Sequence, residues 1–322
     1  MAQTSLPARV AAYTPAMLPA LRDLINLHVG AAVPGWAVTA GAVAAHLERD
    51  LGEYVVDRWV AERAALVAGD AYRLHAAAHL LRYRDAPEVS KDYRHAGAIA
   101  WVVGRPNKPA ALAGVLAAST ERFAAWGVRE AYGWDTGLPV PALAGVADAW
   151  PHVAAGLRAA GFTLGDGEPS EALYGGRLDG VPEPGPPPLP GLTVRRMTGL
   201  WGTRFAAVLD GREIAWCEGV ADLTNGGEQP ALRGWAELDE VKTDEGWRNQ
   251  GVGTWLVRHA VAWLRLAGCD RIVFTVGADD EARGAGRFYR RFGWDVFVRE
   301  TRSWRLARAA GGGGQAEARA GQ

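Results

Sequence analysis

Cysteine is almost missing from this chain: Cys217 and Cys269 are the only two among 322 residues. Two thiols cannot build a disulfide framework, and both suit a reducing compartment as small buried residues. Long apolar runs are missing too. No stretch reaches the roughly 18 residues needed to span a bilayer. The opening "MAQTSLPARVAAYT" lacks a basic segment followed by an apolar one, so a secretory signal is not expected and the cytoplasm is the expected location. Neither sign of charge dominates, the formal net charge being −1. A basic surface for nucleic acid and an acidic cation-binding tail are both excluded on that ground. Metal-ligand patterns are scarce. His75 and His79 would share an ion only if "RLHAAAHLL" were a helix, and no Glu follows His75 as in H-E-x-x-H. On a strand the two rings lie roughly 13 Å apart. No metal is expected.

What is present is a glycine cluster, "EGWRNQGVGTWLV", Glu245 to Val257. It fails as a P-loop, because Val252-Gly253 stands where Lys-Ser/Thr must follow Gly251. It also fails as a dinucleotide fingerprint, because Leu256 replaces the third glycine. Arg248-x-x-Gly251-x-Gly253 running straight into a helix remains.

The chain exceeds the usual size of one core, so two domains are expected. The segment "LDGVPEPGPPPLPG", Leu178 to Gly191, carries six prolines and reads as a stiff linker. The expected organisation is a first domain at 1–178, a linker at 179–190, a second domain at 191–308 and a disordered tail at 309–322. In the second domain a strand at Leu192–Met197 precedes a hairpin about Asp210-Gly211. A strand at Gly234–Thr243, a helix with Val252, Leu256, Ala260 and Leu264 on one face, and a strand at Arg271–Val276 follow. Glu281–Trp294 reads as one helix ending at Gly293, and "DVFVRETRSWRL" as one closing strand. This order is α+β and not doubly wound.

The order of elements, together with two motifs at the right separation, resembles the GNAT superfamily of acyl-CoA N-acetyltransferases over about 75 residues, Trp235 to Leu306. "ELDEVKTDEGWRNQGVG" follows the family's ExxxxxVxPxxRGxGxG without a gap: Glu237, Arg248, Gly251 and Gly253 match, while Thr243, Glu245 and Asn249 depart from it. "ARGAGRFYRRFGW" follows NxxAxxFYxxxGF, with Ala282 in place of Asn and Trp294 in place of Phe. The first half repeats the order of elements without the motif. "GRPNKPAALAGVL" has Pro106 and Pro109, which each remove a backbone donor, and Leu157 falls where Tyr289 stands in the second half. The resemblance therefore implies two tandem GNAT-like domains, each a mixed, mostly antiparallel sheet flanked by helices, the first a degenerate copy.

The resemblance also implies acetyl-CoA as acyl donor. Glycines at 251 and 253 let successive N–H groups face a diphosphate at a helix N-terminus, surrounded by Arg248, Asn249, Gln250, Val252 and Thr254. The pantetheine arm would pair with an open strand edge at Val241, Lys242 and Thr243, whose N–H groups would polarise the carbonyl. Tyr289 matches the family's acid. Glu237 falls at the position of the base, which acts directly or through water. Asp239 should share its face, and Glu240 should point the other way. Arg283 and Arg287, one turn apart on a single helix, either attract phosphate or form a solvated face. Only "TGLWGT", Thr198 to Thr203, separates the first strand from the hairpin. That is too short for the two helices that wall the family's acceptor site, so the first domain is expected to cover it. The expected partner is a small-molecule amine, the expected state a monomer or homodimer. A non-catalytic acyl-CoA sensor with a partner-binding first domain is the alternative.

Overall fold

The computed structural model describes residues 9–48, 58–134, 137–165 and 170–307. The expected tail at 309–322 lies outside them.

The first half begins with β1 (Val10–Ala12), α1 (Leu18–Ala32) and α2 (Ala40–Glu48). Strands β2 (Val60–Gly69), β3 (Leu74–Tyr83) and β4 (Ala96–Gly104) follow, then α3 (Pro109–Ala125), β5 (Glu130–Gly133) and β6 (Val146–Ala147). α4 (Pro151–Ala159), β7 (Thr163–Leu164) and β8 (Ser170–Arg177) complete it. The second half has β9 (Thr193–Thr198), β10 (Thr203–Leu209), β11 (Arg212–Val220) and β12 (Trp235–Thr243), then α5 (Val252–Leu266) and β13 (Arg271–Gly277). It ends with α6 (Ala278–Ala282), α7 (Ala285–Arg290), β14 (Asp295–Thr301) and β15 (Trp304–Ala307). The hairpin turn at Asp210-Gly211 has φ of 50° and 78°, the doubly left-handed pair that a tight two-residue turn requires. Gly268, with φ of 87°, stops α5.

Three expectations are corrected. The helix expected at 281–294 is two short helices, because Gly284 at φ 110° breaks the chain between them. Arg283 thus ends α6, paired with Asp280 at 2.7 Å, while Arg287 belongs to α7. The single closing strand is β14 and β15, separated at Ser303, whose φ is 61°. Finally, sheet membership crosses the boundary expected at 178. The first sheet runs β1-β2-β3-β4-β5-β15-β7 and the second β6-β14-β8-β13-β12-β11-β10-β9. β8, from the first half, is hydrogen-bonded between β13 and β14; β15, from the second, pairs with β5 and β7. Each half lends its last strand to the other. No local sequence signal distinguishes a strand paired within its own half from one paired across.

The halves also share a core. Trp36 of the first half packs edge-on against Trp235 of β12, ring centroids 5.2 Å apart, in one apolar cluster with Val273 and Val298. That cluster lies on the face of the second sheet opposite α5. On the other face, Ala236, Leu238, Ile272 and Phe274 pack with α5 and α7. The proline-rich segment is no free linker. Arg265 of α5 donates to the carbonyls of Leu178 and Val181 and pairs with Glu183 at 2.9 Å. Trp255 Nε1 donates to the Gly185 carbonyl at 3.0 Å. The segment is strapped along α5, its backbone acceptors satisfied by that helix.

Candidate active site

β12 and β13 are the parallel pair at the centre of the second sheet, and they pair only from Trp235↔Arg271 to Glu237↔Val273. Beyond Glu237 they separate, while β12 stays bonded to β11 as far as Thr243↔Ala215. One edge of β12 is therefore left without a strand partner, a row of backbone donors and acceptors that an extended ligand can pair with. The β11 register shifts between Cys217↔Val241 and Gly219↔Leu238, so Asp239 and Glu240 together oppose Glu218. This bulge upsets the alternation expected from sequence. Leu238 and Val241 both face the core under α5, and Asp239 and Glu240 are both exposed.

The glycine loop follows the end of β12. Arg248 Nε donates to the Thr243 carbonyl at 3.1 Å, and Gln250 Nε2 to the Gly246 carbonyl at 2.9 Å, so both side chains brace the loop backbone. Asn249 and Gly251 take φ of 61° and 83° to turn the chain into α5. Trp255 is bonded to the Gly251 carbonyl at 3.0 Å. The N–H groups of Val252, Gly253 and Thr254 precede it in the first turn, where a helix supplies them no partner. They suit an anion at the positive end of the helix dipole. A Cβ on Gly253 would lie 3.4 Å from Thr243 Oγ1 and 3.8 Å from the Phe288 ring, so any larger side chain projects into the space above the loop. Val252 itself is buried, and only its N–H is available. Val241 is half-buried against the core, Lys242 exposed and Thr243 half-buried. The donor set fits a diphosphate bound without a metal. Among the described residues no group of three or more His, Cys, Asp or Glu is placed to hold an ion. His75 and His79 lie on β3, and His79 packs against His46 and Trp101 instead.

Glu237 and Tyr289 approach the separation of β12 and β13 from opposite sides. Glu237 lies two residues beyond Trp235 and so shares the face that the first half covers. Burial, and then the charge of Asp239, push its carboxyl up to about 6. Tyr289 sits on α7, its ring 4.3 Å from that of Phe274, the first β13 residue after the pairing ends. Burial raises its hydroxyl well above the usual tyrosine range, so it is a proton carrier at neutral pH. α6, which leads into α7, is held to the sheet by a chain of bonds that the sequence did not announce. Tyr174 Oη donates to Glu281 at 2.6 Å, and Arg299 forms two bonds to the same carboxylate at 2.7 and 2.8 Å. Arg299 and Tyr174 hold that carboxyl down at about 2. Gly286 is needed beneath it, since a Cβ there would come within 2.5 Å of Tyr174 Oη. Glu218 was likewise missed. Buried on β11, it accepts the N–H groups of Leu200, Trp201 and Gly202 and so closes the short β9–β10 turn. His259 packs beside Trp255, ring centroids 4.5 Å apart.

The first half keeps the geometry but closes it. β4 and β5 pair only from Ala96↔Glu130 to Ile99↔Gly133, and β4 carries one extra residue, Ala100, against β3. At the end of β4, however, Gly104 is already bonded. Its N–H donates to His28 Nε2 at 3.4 Å, and its carbonyl accepts from His152 Nε2 at 2.6 Å. Two imidazoles thus take both backbone groups of the last β4 residue, whereas at the end of β12 Arg248 bonds the Thr243 carbonyl, and Pro109 begins α3 without an N–H.

Residues 187–294 match the model of the acetyltransferase (GNAT) family. Similar solved structures include a GCN5-related N-acetyltransferase from Sphaerobacter thermophilus, 17% identical, with a TM-score of 0.59 over 92% of this chain and 94% of that one. A tandem GNAT protein from the clavulanic acid biosynthesis pathway is 13% identical, with a TM-score of 0.58 over 92% and 97%. A GCN5-related glucosamine N-acetyltransferase region of a fungal multi-domain GH3 β-N-acetylglucosaminidase is 15% identical, with a TM-score of 0.57 over 93% of this chain and 38% of that one. No curated protein matches the sequence. Among the described residues no helix is long and apolar enough to cross a membrane. Residues 187–294 are thus similar to the GNAT acetyltransferase family, and the chain as a whole has the tandem two-domain GNAT fold.

Proposed function

We propose that the protein moves an acetyl group from acetyl-CoA to the primary amine of a small molecule, by direct attack in a ternary complex. The observation that carries this reading is the separation of β12 from β13, with the glycine loop at one end and Glu237 and Tyr289 on its two sides. Acetyl-CoA supplies the activated acyl group as a thioester. The first-turn N–H groups of α5 and the loop Arg248–Thr254 bind the diphosphate, and the open edge at Val241–Thr243 orients the pantetheine and donates to the carbonyl oxygen. Glu237, mostly ionised at pH 7 with its carboxyl at about 6, takes a proton from the incoming ammonium, directly or through water. As the C–N bond forms and the C–S bond breaks, Tyr289 gives its proton to the departing thiolate and regains one from the attacking nitrogen, which sheds its second proton on becoming the amide.

The first half acts as the acceptor wall. Trp36 against Trp235 covers the Glu237 face where helices would stand if the Thr198–Thr203 connection were longer. That enclosure favours a small amine over a protein substrate. The test is a screen of amines for thiol release from acetyl-CoA, joined to calorimetry of coenzyme binding. One acetyl-CoA per chain, lost in Gly253→Val, is expected. Two per chain, or full affinity in that folded variant, would overturn the assignment of the loop. Binding without turnover on any amine would favour the sensor.

A further inference from the structure

The first half holds a groove beside the closed end of β4. Between α3 and α4 lies a groove of about 570 Å³, a volume suited to a small organic ligand. Its walls are Leu112, Ala113 and Ala117 from α3, and Ala155 and Ala159 from α4. The helices meet tightly at its floor, where a Cβ on Gly156 would lie 2.8 Å from Leu112 Cδ2. One end is polar. Arg105 lines it, fixed by a bond from Nε to the Leu74 carbonyl at 2.9 Å, and His152 lines it beside Arg105.

The charge at that end is one-sided. No acidic side chain lines the groove; besides Arg105 its polar side chains are His152 and Thr120. The N-terminus of the 17-residue helix α3 adds positive potential at the same end. His152 is held from behind. Its Nε2 faces the Gly104 carbonyl at 2.6 Å and His28 Nε2 at 3.3 Å, and His28 Nδ1 faces the Leu24 carbonyl at 3.0 Å. Each carbonyl accepts, so each facing nitrogen carries the hydrogen, and the ring orientation of His152 is fixed.

We propose that this groove binds a small carboxylate with an unbranched apolar tail. The carboxylate pairs with Arg105 beside His152, and the tail lies along the alanines between α3 and α4. A neutral amphiphile of the same length would leave the guanidinium without an anion in a half-buried site, and a diphosphate would find Arg105 as the one cationic side chain of a mostly apolar lining. The ligand is therefore distinct from the coenzyme of the second half.

Calorimetry on the full chain tests this with octanoate and octan-1-ol as probes, with and without saturating acetyl-CoA. Octanoate should bind once per chain, unaffected by acetyl-CoA. Octan-1-ol should bind about tenfold or more weakly, the usual scale of a hydrogen-bonded charge. Arg105→Gln should erase that difference, Arg105→Lys should retain it, and Ala113→Phe should weaken both probes by filling the groove. Absence of octanoate binding, equal affinities for the two probes, displacement by acetyl-CoA, or undiminished octanoate affinity in Arg105→Gln would each overturn the proposal. If Arg105→Gln does not fold, Ala113→Phe decides alone, and unchanged octanoate affinity there rejects the groove.

Discussion

The two halves share one plan and differ in what occupies the end of a single strand. β4 and β12 each leave their parallel neighbour after a few residues and each carry one extra residue nearby. In the second half the edge beyond that point has no strand partner, and a glycine loop whose Arg248 bonds the Thr243 carbonyl turns into α5. In the first, His28 and His152 bond both backbone groups of Gly104, and Leu157, aligned by sequence with Tyr289, is buried. The difference teaches that a GNAT-like fold is separable from its chemistry. The separated strands are a property of the sheet, whereas the binding edge exists only where side chains do not claim it.

The sharpest way to break the comparison is to separate the halves. A chain beginning at residue 179 lacks β8 and leaves β13 and β14 without their shared partner. It should fail to unfold cooperatively, and circular dichroism during a thermal scan reads this directly. A cooperative transition near that of the full chain would show that the exchange of strands is dispensable.

The next effect compares the matched positions. Tyr289→Phe keeps the ring's packing and removes the proton, so kcat should fall by about 10²–10⁴-fold with little change in coenzyme affinity. At the equivalent place, Leu157→Ala should lower stability by about 2–5 kcal/mol and leave the kcat of the folded enzyme unchanged. Full kcat in Tyr289→Phe rejects the acid.

Glu237→Gln should produce a smaller loss. With the carboxyl at about 6, the base is ionised above that pH, so kcat/KM of the unaltered enzyme should decline as pH falls through 6. The variant should lose that acidic limb, and a pH profile identical to the parent's would reject Glu237 as base. Trp36→Phe probes the wall between the halves. It should raise the acceptor KM several-fold, by about 1 kcal/mol of lost packing, while coenzyme affinity holds. An unchanged KM would remove the first half from the acceptor site.

The smallest effect lies at the junction. Glu300 of β14 is fully buried, accepts the N–H groups of Ala144 and Gly145, and has its carboxyl pushed by burial up to about 8. A carboxyl whose folded value exceeds its unfolded one binds its proton more tightly in the folded state. Stability should therefore decline as pH rises from about 4.5 towards 8. Glu300→Gln should flatten that slope in melting temperatures measured across the range. An unaltered slope would assign the pH dependence elsewhere.

Local patterns carried much of this. The hairpin turn at Asp210-Gly211, the amphipathic face of α5 and its stop at Gly268 are short-range features, fixed by backbone geometry that particular residues favour. The glycine loop was legible for the same reason, since Gly251 and Gly253 answer to steric demands within a few residues. Long-range relations were not legible. The break of the last helix at Gly284, the bulge at Asp239–Glu240 and the exchange of β8 and β15 depend on partners far away in sequence. Glu218 and the Tyr174–Glu281–Arg299 chain likewise join segments that only folding brings together.

The sequence by itself determined the two-part plan, the coenzyme-like loop and the loss of that loop in the first half. Each rests on composition or on contiguous residues whose conformational limits are local. Only the tertiary structure decided that the halves are interlocked, β6 and β8 of the first joining the second sheet and β15 of the second joining the first, and that Glu237 lies on the face the first half covers. It alone placed two histidines on the edge of β4. The physical reason is common to all three: strand pairing and desolvation are set by which surfaces meet, and a strand's own residues do not name the strand that lies beside it.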